Sequence, residues 1–397
     1  MADNRREALI TGVGIDSCLG EGVEAHWQAL SAAQPRPDTA TFAPYIVHPI
    51  APPDYDKHIP KKGDQRQMEP WQRMGTYAAG LALESAGAKG NADLLSKMDM
   101  IVAAGGGERD LAVDSTILSG REKAASPDAF LNERLMNDLR PTLFLAQLSN
   151  LLAGNISIVH GVTGSSRTFM GEEAAGVDAV RIAVSRINAG QSDIVLVGGA
   201  HNGERWDLLM LYEFGHYNLK EKFAPVWQRE PDGGFALGSI GAFLVLESRA
   251  HAEARGAKAL AQLSSVFADR SKRQPGTVGA ALKRLWGDLA QRLRPGHFAV
   301  LSGASGAATA TGEERTFLTE QVKAPIRATG TYLGHAMEPQ FPMNIALAAM
   351  VVSRGKLFPP GDKSGVESSV DGAITQVVVT GVGHWRGEGL ALVEAAA

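Results

Sequence analysis

Apolar runs that end near glycine alternate with stretches of helical spacing along most of the chain. Residues 7–16 form an apolar run that closes on glycines, and residues 21–33 and 71–88 have apolar positions at helical spacing, the latter up to Gly87. Short apolar runs bounded by glycine predict buried strands, and apolar positions three and four residues apart predict helices. The alternation therefore predicts an α/β fold with mainly parallel sheets that helices cover on both faces.

The second half of the chain repeats this plan. Residues 297–306 and 374–385 each predict a strand that leads into a glycine-rich turn, and the tetrapeptide TGVG occurs at both 11–14 and 380–383. Such a short match is a weak sign of internal repetition. Between the two halves of the pattern, residues 141–164 predict an apolar helix that Gly154 ends.

The segment from 171 to 202 combines a tight turn, a helix, an Ala-Gly stop and a buried strand. Glu173 lies on the turn, where the helix dipole favours a carboxylate by about 0.3–1 kcal/mol. One interpretation is a capping or salt-bridged structural glutamate. The other is a buried carboxylate with a raised pKa that acts as an acid or base, with Glu172 as its solvated neighbour.

Composition narrows the possible functions. The 397 residues carry a formal net charge of −4, which argues against nucleic acid as a partner. The only cysteine, Cys18, excludes an internal disulfide and suits a cytoplasmic protein; we expect it to be a small, partly buried side chain. The polar N-terminus and the lack of any run of 18 apolar residues predict neither a signal peptide nor a membrane span. No cofactor and no metal site are predicted.

Several ordered motifs resemble the β-ketoacyl-acyl-carrier-protein synthases of the thiolase superfamily. The opening strand and helix at 11–30, the Asp-Gly-Phe hairpin within 223–258, the histidine segment 328–340 and the Gly-x-x-Pro-Pro-like turn at 353–360 occur in that order. The resemblance implies a thiolase-like αβαβα five-layer fold, built from two similar halves. We expect the first half, with insertions, to span 1–258 and the second to span 259–397.

The resemblance also locates the catalytic positions of the family. Glu173 falls where those enzymes carry their nucleophilic cysteine, and Ser305 falls at their first catalytic histidine. Only His335 matches, at their second histidine, while Gly330 replaces a lysine five residues before it. Condensation needs a thiolate that takes up the acyl chain and two nitrogen donors that polarise the malonyl thioester. The substitutions therefore argue against condensation.

Three further residues are predicted to border the acyl site. Val382 takes the position of a gate phenylalanine in a loop that is about two residues longer, and His384 in that loop could reach the same cavity. Phe169 lies in the strand 165–172, which in the family pairs across a two-fold axis. Residues 141–152 are expected to pack beside that strand and line an acyl tunnel. A dimer with more than roughly 2,000 Å² of buried area is therefore expected.

A basic cluster indicates where a partner would dock. In the family, such a cluster just before the equivalent helix meets acidic acyl carrier proteins, and Lys62 and Arg66 match it. The segment 270–273 (RSKR) could extend this patch. The alternative for both is an ordinary charged surface.

Two functions remain open from the sequence. The first is a condensation-inactive partner subunit that shapes the acyl tunnel of an active ketosynthase, as in chain-length factors, with a homodimer when the chain is alone. Its pathway would be fatty acid or polyketide synthesis. The chain also resembles ketosynthase-like proteins that serve very-long-chain fatty acids of lipid A, which would make that pathway one option. The second is a self-sufficient malonyl-thioester decarboxylase or acyltransferase that uses Glu173 and His335.

Overall fold

A mixed sheet runs through the whole molecule. The structure is a computed structural model that describes residues 6–138, 145, 147–229 and 231–396. Its strands in chain order are β1 (Ala8–Ser17), β2 (Gly20–Glu21), β3 (Val47–His48), β4 (Asp99–Ala103), β5 (Ser166–Phe169), β6 (Ile194–His201), β7 (Leu237–Gly238), β8 (Ile240–Ser248), β9 (Ala261–Asp269), β10 (Phe298–Ser302), β11 (Ile326–Ala328), β12 (Gln376–Val382) and β13 (Glu388–Glu394). Strands β3 and β7 form a separate small sheet.

The main sheet contains the same strand order twice. It reads β5-β4-β6-β8-β1 in one half and β11-β10-β12-β13-β9 in the other. Taken in chain order, β1, β4, β5, β6 and β8 of the first half therefore correspond to β9, β10, β11, β12 and β13 of the second. The halves meet where β1 pairs antiparallel with β9, through Leu9 with Gln262 and Ile10 with Ala261. Two similar halves are thus visible in the topology, while the boundary between 258 and 259 stays a prediction.

The prediction of mainly parallel sheets was wrong. Parallel pairs occur only toward the two ends of the described sheet, where β4 joins β5 and β6 and where β10 joins β11 and β12. The inner pairs, from β6–β8 through β1–β9 to β12–β13, are antiparallel. Strand β12 turns straight back into β13, and such a return needs no helical crossover.

The helices complete five layers. In chain order they are α1 (Gly22–Ser31), α2 (Lys62–Gln67), α3 (Pro70–Ser85), α4 (Ala92–Lys97), α5 (Leu111–Arg121), α6 (Pro127–Asn137), α7 (Leu151–His160), α8 (Glu172–Asn188), α9 (Trp206–Phe214), α10 (Arg249–Ala254), α11 (Thr277–Ala290), α12 (Ala308–Phe317), α13 (Gly330–Leu333) and α14 (Gln340–Arg354). Helices α8 and α14 pack on each other and on strands of both halves, so they form the middle layer. Helix α3 packs on β1, β6 and β8, and α11 packs on β9 and β13, as outer layers. The thiolase-like αβαβα fold is confirmed.

Helix α14 is the central support of this arrangement. Its residues from Gln340 to Val352 are all buried, which requires neighbours on every side. Even so, none of the helices in the described residues is long and apolar enough to cross a membrane.

The glycines of the first TGVG motif lie inside a strand rather than at its end. Strand β1 continues through Gly12 and Gly14 to Ser17, so the predicted turn at these glycines was wrong. A Cβ at Gly14 would overlap the carbonyl oxygen of Ala78, and a Cβ at Gly12 would overlap that of Ala82. The glycines therefore serve close contact between β1 and the backbone of α3.

The predicted helix stop at Gly154 was also wrong. Helix α7 passes through Gly154 and ends at His160, followed by Gly161, whose φ of 77° is left-handed. A left-handed glycine is the common end of a helix, and Gly154 does not adopt that conformation. The described residues leave out 139–144 and 146. The first part of the segment 141–152, which was predicted to line an acyl tunnel, therefore lies largely outside them.

The close approach of β1 to α3 gives a stability prediction. We expect Gly14→Ala to destabilise the fold by at least about 1–3 kcal/mol, the usual cost of overpacking, because the new methyl group meets rigid backbone. Gly154→Ala is the matched control: open space surrounds this helical glycine, so the change should be neutral or stabilise by up to about 1 kcal/mol. Denaturant unfolding midpoints measure both. Equal midpoints for the two variants would contradict the prediction.

Candidate functional site

Two residues with left-handed backbone bring Glu173 into the interior. After β5, Gly171 has φ 130° and Glu172 has φ 56°, and α8 begins at once. Such a conformation in a non-glycine residue costs roughly 1–3 kcal/mol and persists only where the surroundings enforce it. The turn leaves Glu173 only 4% exposed at the first turn of α8.

One oxygen of Glu173 accepts three hydrogen bonds. Its Oε1 atom lies 2.7 Å from Nε2 of His335 and 2.9 Å from Nδ1 of His384. The backbone N–H of His384 donates to the same oxygen at 3.1 Å. We call Glu173, His335 and His384 the buried cluster, because all three side chains are buried.

His335 is fixed by the small sheet of the N-terminal half. Its backbone N–H donates to Ala236 at 2.8 Å, and its carbonyl accepts from Gly238 at 2.9 Å, so it forms a bridge with Leu237 of β7. Its position between α13 and α14 directs the ring toward the first turn of α8. The contact with Glu173 therefore joins the two halves of the fold.

His384 is held by the hairpin between β12 and β13. The guanidinium group of Arg273 donates to the carbonyls of Gly383 and Gly387 and pairs with the buried carboxylate of Glu388. Gly387 has φ 88°, a conformation that lets the chain turn back over a short loop. Arg273 thus stabilises the loop that presents His384, and it is not an accessible part of the basic patch proposed for 270–273.

Aromatic rings enclose the imidazoles. The His384 ring lies 4.8 Å from the Tyr217 ring, 5.5 Å from Tyr212 and 5.6 Å from Phe235 between centroids. Phe235 also lies 5.3 Å from the His335 ring. These rings lower the local dielectric, which strengthens the electrostatic interactions inside the site. His384 thereby fills the space next to the Glu173 carboxylate.

The buried cluster favours one distribution of charge. Burial opposes ionisation of Glu173, but the charge of His384 and the hydrogen bonds from both imidazoles outweigh it and hold the pKa of Glu173 well below its usual range. Burial also disfavours a protonated His384, yet the Glu173 carboxylate raises the pKa of His384 above its usual value. Burial lowers the pKa of His335 despite its bond to Glu173. These directions favour an ion pair between Glu173 and His384, with a neutral His335 that donates from Nε2.

This charge distribution corrects one interpretation of the two glutamates. The suggested raised pKa belongs to Glu172, where burial is the main cause, and not to Glu173. Glu172 is also not fully solvated, because its Oε1 lies 3.7 Å from Nε2 of His384. The structure favours the salt-bridged interpretation of Glu173, because two imidazoles stabilise its ionised form.

The structure keeps Ser305 in a purely local role. Its hydroxyl accepts a hydrogen bond from the backbone N–H of Ala307 at 3.1 Å, and its carbonyl accepts from Arg229 at 3.2 Å. Gly330 offers only a tight space for the lysine of the resemblance, because a Cβ there would lie 3.0 Å from the carbonyl oxygen of Ala304. Neither position supplies a side-chain donor to the buried cluster.

The two other residues predicted to border the site lie in packed cores. Val382 ends β12 and belongs to a buried apolar cluster of the C-terminal half that includes Ala304 and Ala310. Phe169 ends β5 and packs, partly buried, against the main core. His384 is therefore the residue of the lengthened loop that enters the site.

Sequence reasoning missed a second buried pair near the cluster. Nδ1 of His201, at the end of β6, lies 3.5 Å from Oε2 of Glu338, which follows His335 by three residues. Both side chains are buried, and a Cβ at Gly105 would lie 2.7 Å from Oε1 of Glu338. The spacing of His335 and Glu338 in the motif HAMEP was the available signal, but nothing in the sequence indicates that His201 meets it.

The predicted docking residues lie on the surface in α2. Both Lys62 and Arg66 are exposed, and Lys62 pairs with Asp56 at 2.6 Å. An exposed pair of this kind has a small effect on stability, so both side chains remain available to a charged partner.

Cys18 has no features of a nucleophile. It is buried at the end of β1, and its thiol donates to the carbonyl of Tyr332 at 3.2 Å. Burial raises the pKa of Cys18 to about 12, so it stays a neutral thiol near pH 7. The side chain is thus more deeply buried than the partly buried one that was expected.

Comparison with known proteins agrees with this architecture. The family sequence model named β-ketoacyl synthase, N-terminal domain, matches residues 5–252 of the chain. The chain belongs to the β-ketoacyl synthase family. It is 27% identical over 273 residues to the 3-oxoacyl-[acyl-carrier-protein] synthase 2 of Vibrio cholerae, which is 66% of this chain and 62% of that protein. The first curated relatives are thus matched over less than two thirds of their length.

Other relatives of this β-ketoacyl synthase family member cover more of the chain. The oxytetracycline polyketide putative β-ketoacyl synthase 1 of Streptomyces rimosus is 23% identical over 89% of this chain and 86% of its own. The solved structure titled the ishigamide ketosynthase/chain length factor has a TM-score of 0.80 at 18% identity, over 99% of this chain and all of that one. A Burkholderia phymatum β-ketoacyl synthase has a TM-score of 0.77 at 18% identity, with the same coverage. These likenesses establish the shared fold.

The buried cluster gives a prediction about pH. Glu173, with its lowered pKa, contributes stability above its unfolded pKa of about 4.3, and this is lost as pH falls through its folded pKa. His384, with its raised pKa, contributes stability below its unfolded pKa of about 6.5, and this is lost as pH rises through its folded pKa. The stability lost in Glu173→Gln should therefore be largest between about pH 4.3 and 6.5.

Thermal unfolding of chelator-treated protein across pH tests this window. Glu253→Gln is the control, since Glu253 is an exposed helical glutamate, and its stability difference should stay small and nearly flat with pH. A Glu173→Gln difference that is equally flat would disprove the ion pair.

Proposed function

We propose that this chain is a condensation-inactive member of the β-ketoacyl synthase family that acts as the partner subunit of an active ketosynthase. In this role it shapes the acyl tunnel used during fatty acid or polyketide synthesis. One observation carries the proposal: at the position of the family nucleophile, the Glu173 carboxylate is bound by two imidazoles. A carboxylate in that state stores no thioester.

The remaining donor is also occupied. Decarboxylation of a malonyl thioester in this family needs free nitrogen donors at the forming enolate. Nε2 of His335 already donates to Glu173, and the His384 ring fills the adjacent space. The alternative enzyme, which would use Glu173 and His335 on a malonyl or acyl thioester, would first have to break this contact.

A place for the partner subunit is available on β5. In the part of the chain that the structure describes, β5 pairs only with β4 and ends the sheet, and Met170 beside it is 67% exposed. Ile158 of the neighbouring α7 is 73% exposed. An unpaired edge strand with exposed apolar residues favours pairing with another chain. The edge therefore supports a homodimer of the chain alone and a heterodimer with an active ketosynthase.

Similar solved structures carry titles that fit this role. One contains a ketosynthase/chain length factor, and another, with a TM-score of 0.76 at 16% identity, contains a type II polyketide acyl-carrier protein in complex with its ketosynthase. We extend these arrangements to the present chain as part of the proposal. The exposed Lys62 and Arg66 are the residues proposed to meet an acidic carrier protein.

The proposal predicts that the chain forms no covalent acyl intermediate. After incubation with acyl- and malonyl-carrier proteins, intact-mass analysis should find the unmodified chain, and the chain alone should release no carbon dioxide. An active ketosynthase treated in parallel is the positive control. Carbon dioxide release by the chain alone would favour the decarboxylase alternative, and an acyl adduct would overturn the inactive role.

The docking residues give a second prediction. Lys62→Glu combined with Arg66→Glu should weaken binding to an acidic carrier protein, and the loss should shrink with salt, because the Debye length falls from about 10 Å at 0.1 M to about 3 Å at 1 M. Lys283→Glu with Lys323→Glu introduces the same charge change at two exposed residues of the C-terminal half. Calorimetry at two salt concentrations compares the variants. Equal affinities for both double variants would remove the docking assignment.

A further inference from the structure

The donor atoms of the buried cluster converge on one point. The Glu173 carboxylate oxygen and one ring nitrogen each of His335 and His384 all lie within 4.8 Å of one another. Two imidazoles and one carboxylate are a common ligand set for zinc in proteins. We propose that Glu173, His335 and His384 form a binding site for one Zn²⁺ ion. The inference goes beyond the proposed function, because a bound ion is compatible with either a silent or an active chain.

An unsatisfied oxygen supports the site. Oε2 of Glu173 is buried and has no hydrogen-bond partner in the described structure. It lies beside Gly383, where an added Cβ would be 3.2 Å from it. A buried polar atom without a partner costs about 1–3 kcal/mol. Bidentate binding of the carboxylate to an ion would satisfy this oxygen and add a fourth donor.

The ligands have to separate slightly to accept the ion. Zinc bonds of about 2.0–2.1 Å in tetrahedral geometry set the donor atoms roughly 3.3 Å apart, compared with the present 2.7 and 2.9 Å. A rotation of the Glu173 carboxylate that brings in Oε2, together with small shifts of both imidazoles, would provide this separation. Binding releases the Nδ1 proton of the charged His384 to solvent, and the neutral His335 moves its proton from Nε2 to Nδ1.

The surroundings of the buried cluster suit a site that binds a divalent cation with moderate affinity. The outer nitrogen of His384, Nε2, lies 3.7 Å from Oε1 of Glu172, so a small approach of this carboxylate would give the hydrogen bond that orients metal ligands. In contrast, the outer nitrogen of His335, Nδ1, has no partner in the described residues. Such a missing contact typically weakens metal binding 10- to 100-fold. We therefore expect binding that is specific but weaker than in fully supported zinc sites.

The test uses the full chain without a histidine tag, since a tag would bind the same ions. The chain is stripped with a chelator and titrated with Zn²⁺ in competition with a chromogenic chelator, and Co²⁺ is then added as a spectroscopic probe. We expect one Zn²⁺ per chain and visible Co²⁺ absorption of a four- or five-coordinate site. Binding of less than about one tenth of an equivalent, or only octahedral Co²⁺, would overturn the proposal.

Variants separate this site from incidental binding. Glu173→Gln and His384→Ala should each weaken Zn²⁺ binding at least tenfold, whereas His216→Ala, which removes an exposed imidazole, should leave it unchanged. If a cluster variant unfolds, Zn²⁺-dependent thermal stabilisation decides instead: added Zn²⁺ should raise the unfolding temperature of the unmodified chain and of His216→Ala. Equal Zn²⁺ binding by all variants, or no stabilisation of the unmodified chain, would disprove the site. Neither result depends on carrier-protein binding or catalysis.

Discussion

The contact between a buried carboxylate and two imidazoles is the constraint on which this molecule depends. A carboxylate as buried as that of Glu173 loses its hydration, and it stays ionised only if protein donors replace the lost water. Glu173 obtains these donors from the start of α14 and from the β12–β13 hairpin, both in the C-terminal half. The middle of the fold is therefore connected by charge as well as by the packing of α8 on α14.

The surrounding structure follows from that requirement. The left-handed turn at Gly171 and Glu172 is needed to point the carboxylate inward, and Arg273 is needed to hold the hairpin that carries His384. Tyr212, Tyr217 and Phe235 then limit the access of water, which strengthens the ion pair further. The proposed function places the family's acyl-transfer site here, so in that proposal the chain keeps the fold of the site while its donors bind one another.

Much of the fold could be predicted from the sequence, because periodic apolar residues and glycines mark elements locally. The helix up to Gly87 and the position of Glu173 at the start of α8 are examples. The strand ends were less predictable: Gly12 and Gly14 looked like a turn, although they serve a contact with α3 that is distant in sequence. His201 and Glu338 likewise meet only through the tertiary structure. The sequence also could not show which glutamate would be held ionised, since that depends on burial and on neighbours from other elements.

The narrow space at Gly330 has a consequence for any attempt to install the family's catalytic residues in this chain. A Cβ there would lie 3.0 Å from the Ala304 carbonyl oxygen and 3.3 Å from Val226. A lysine at this position would therefore require its neighbours to give way by a few tenths of an ångström. Replacing Glu173 would in turn leave the buried His384 without its carboxylate partner. The two positions thus resist exchange for separate reasons, one steric and one electrostatic.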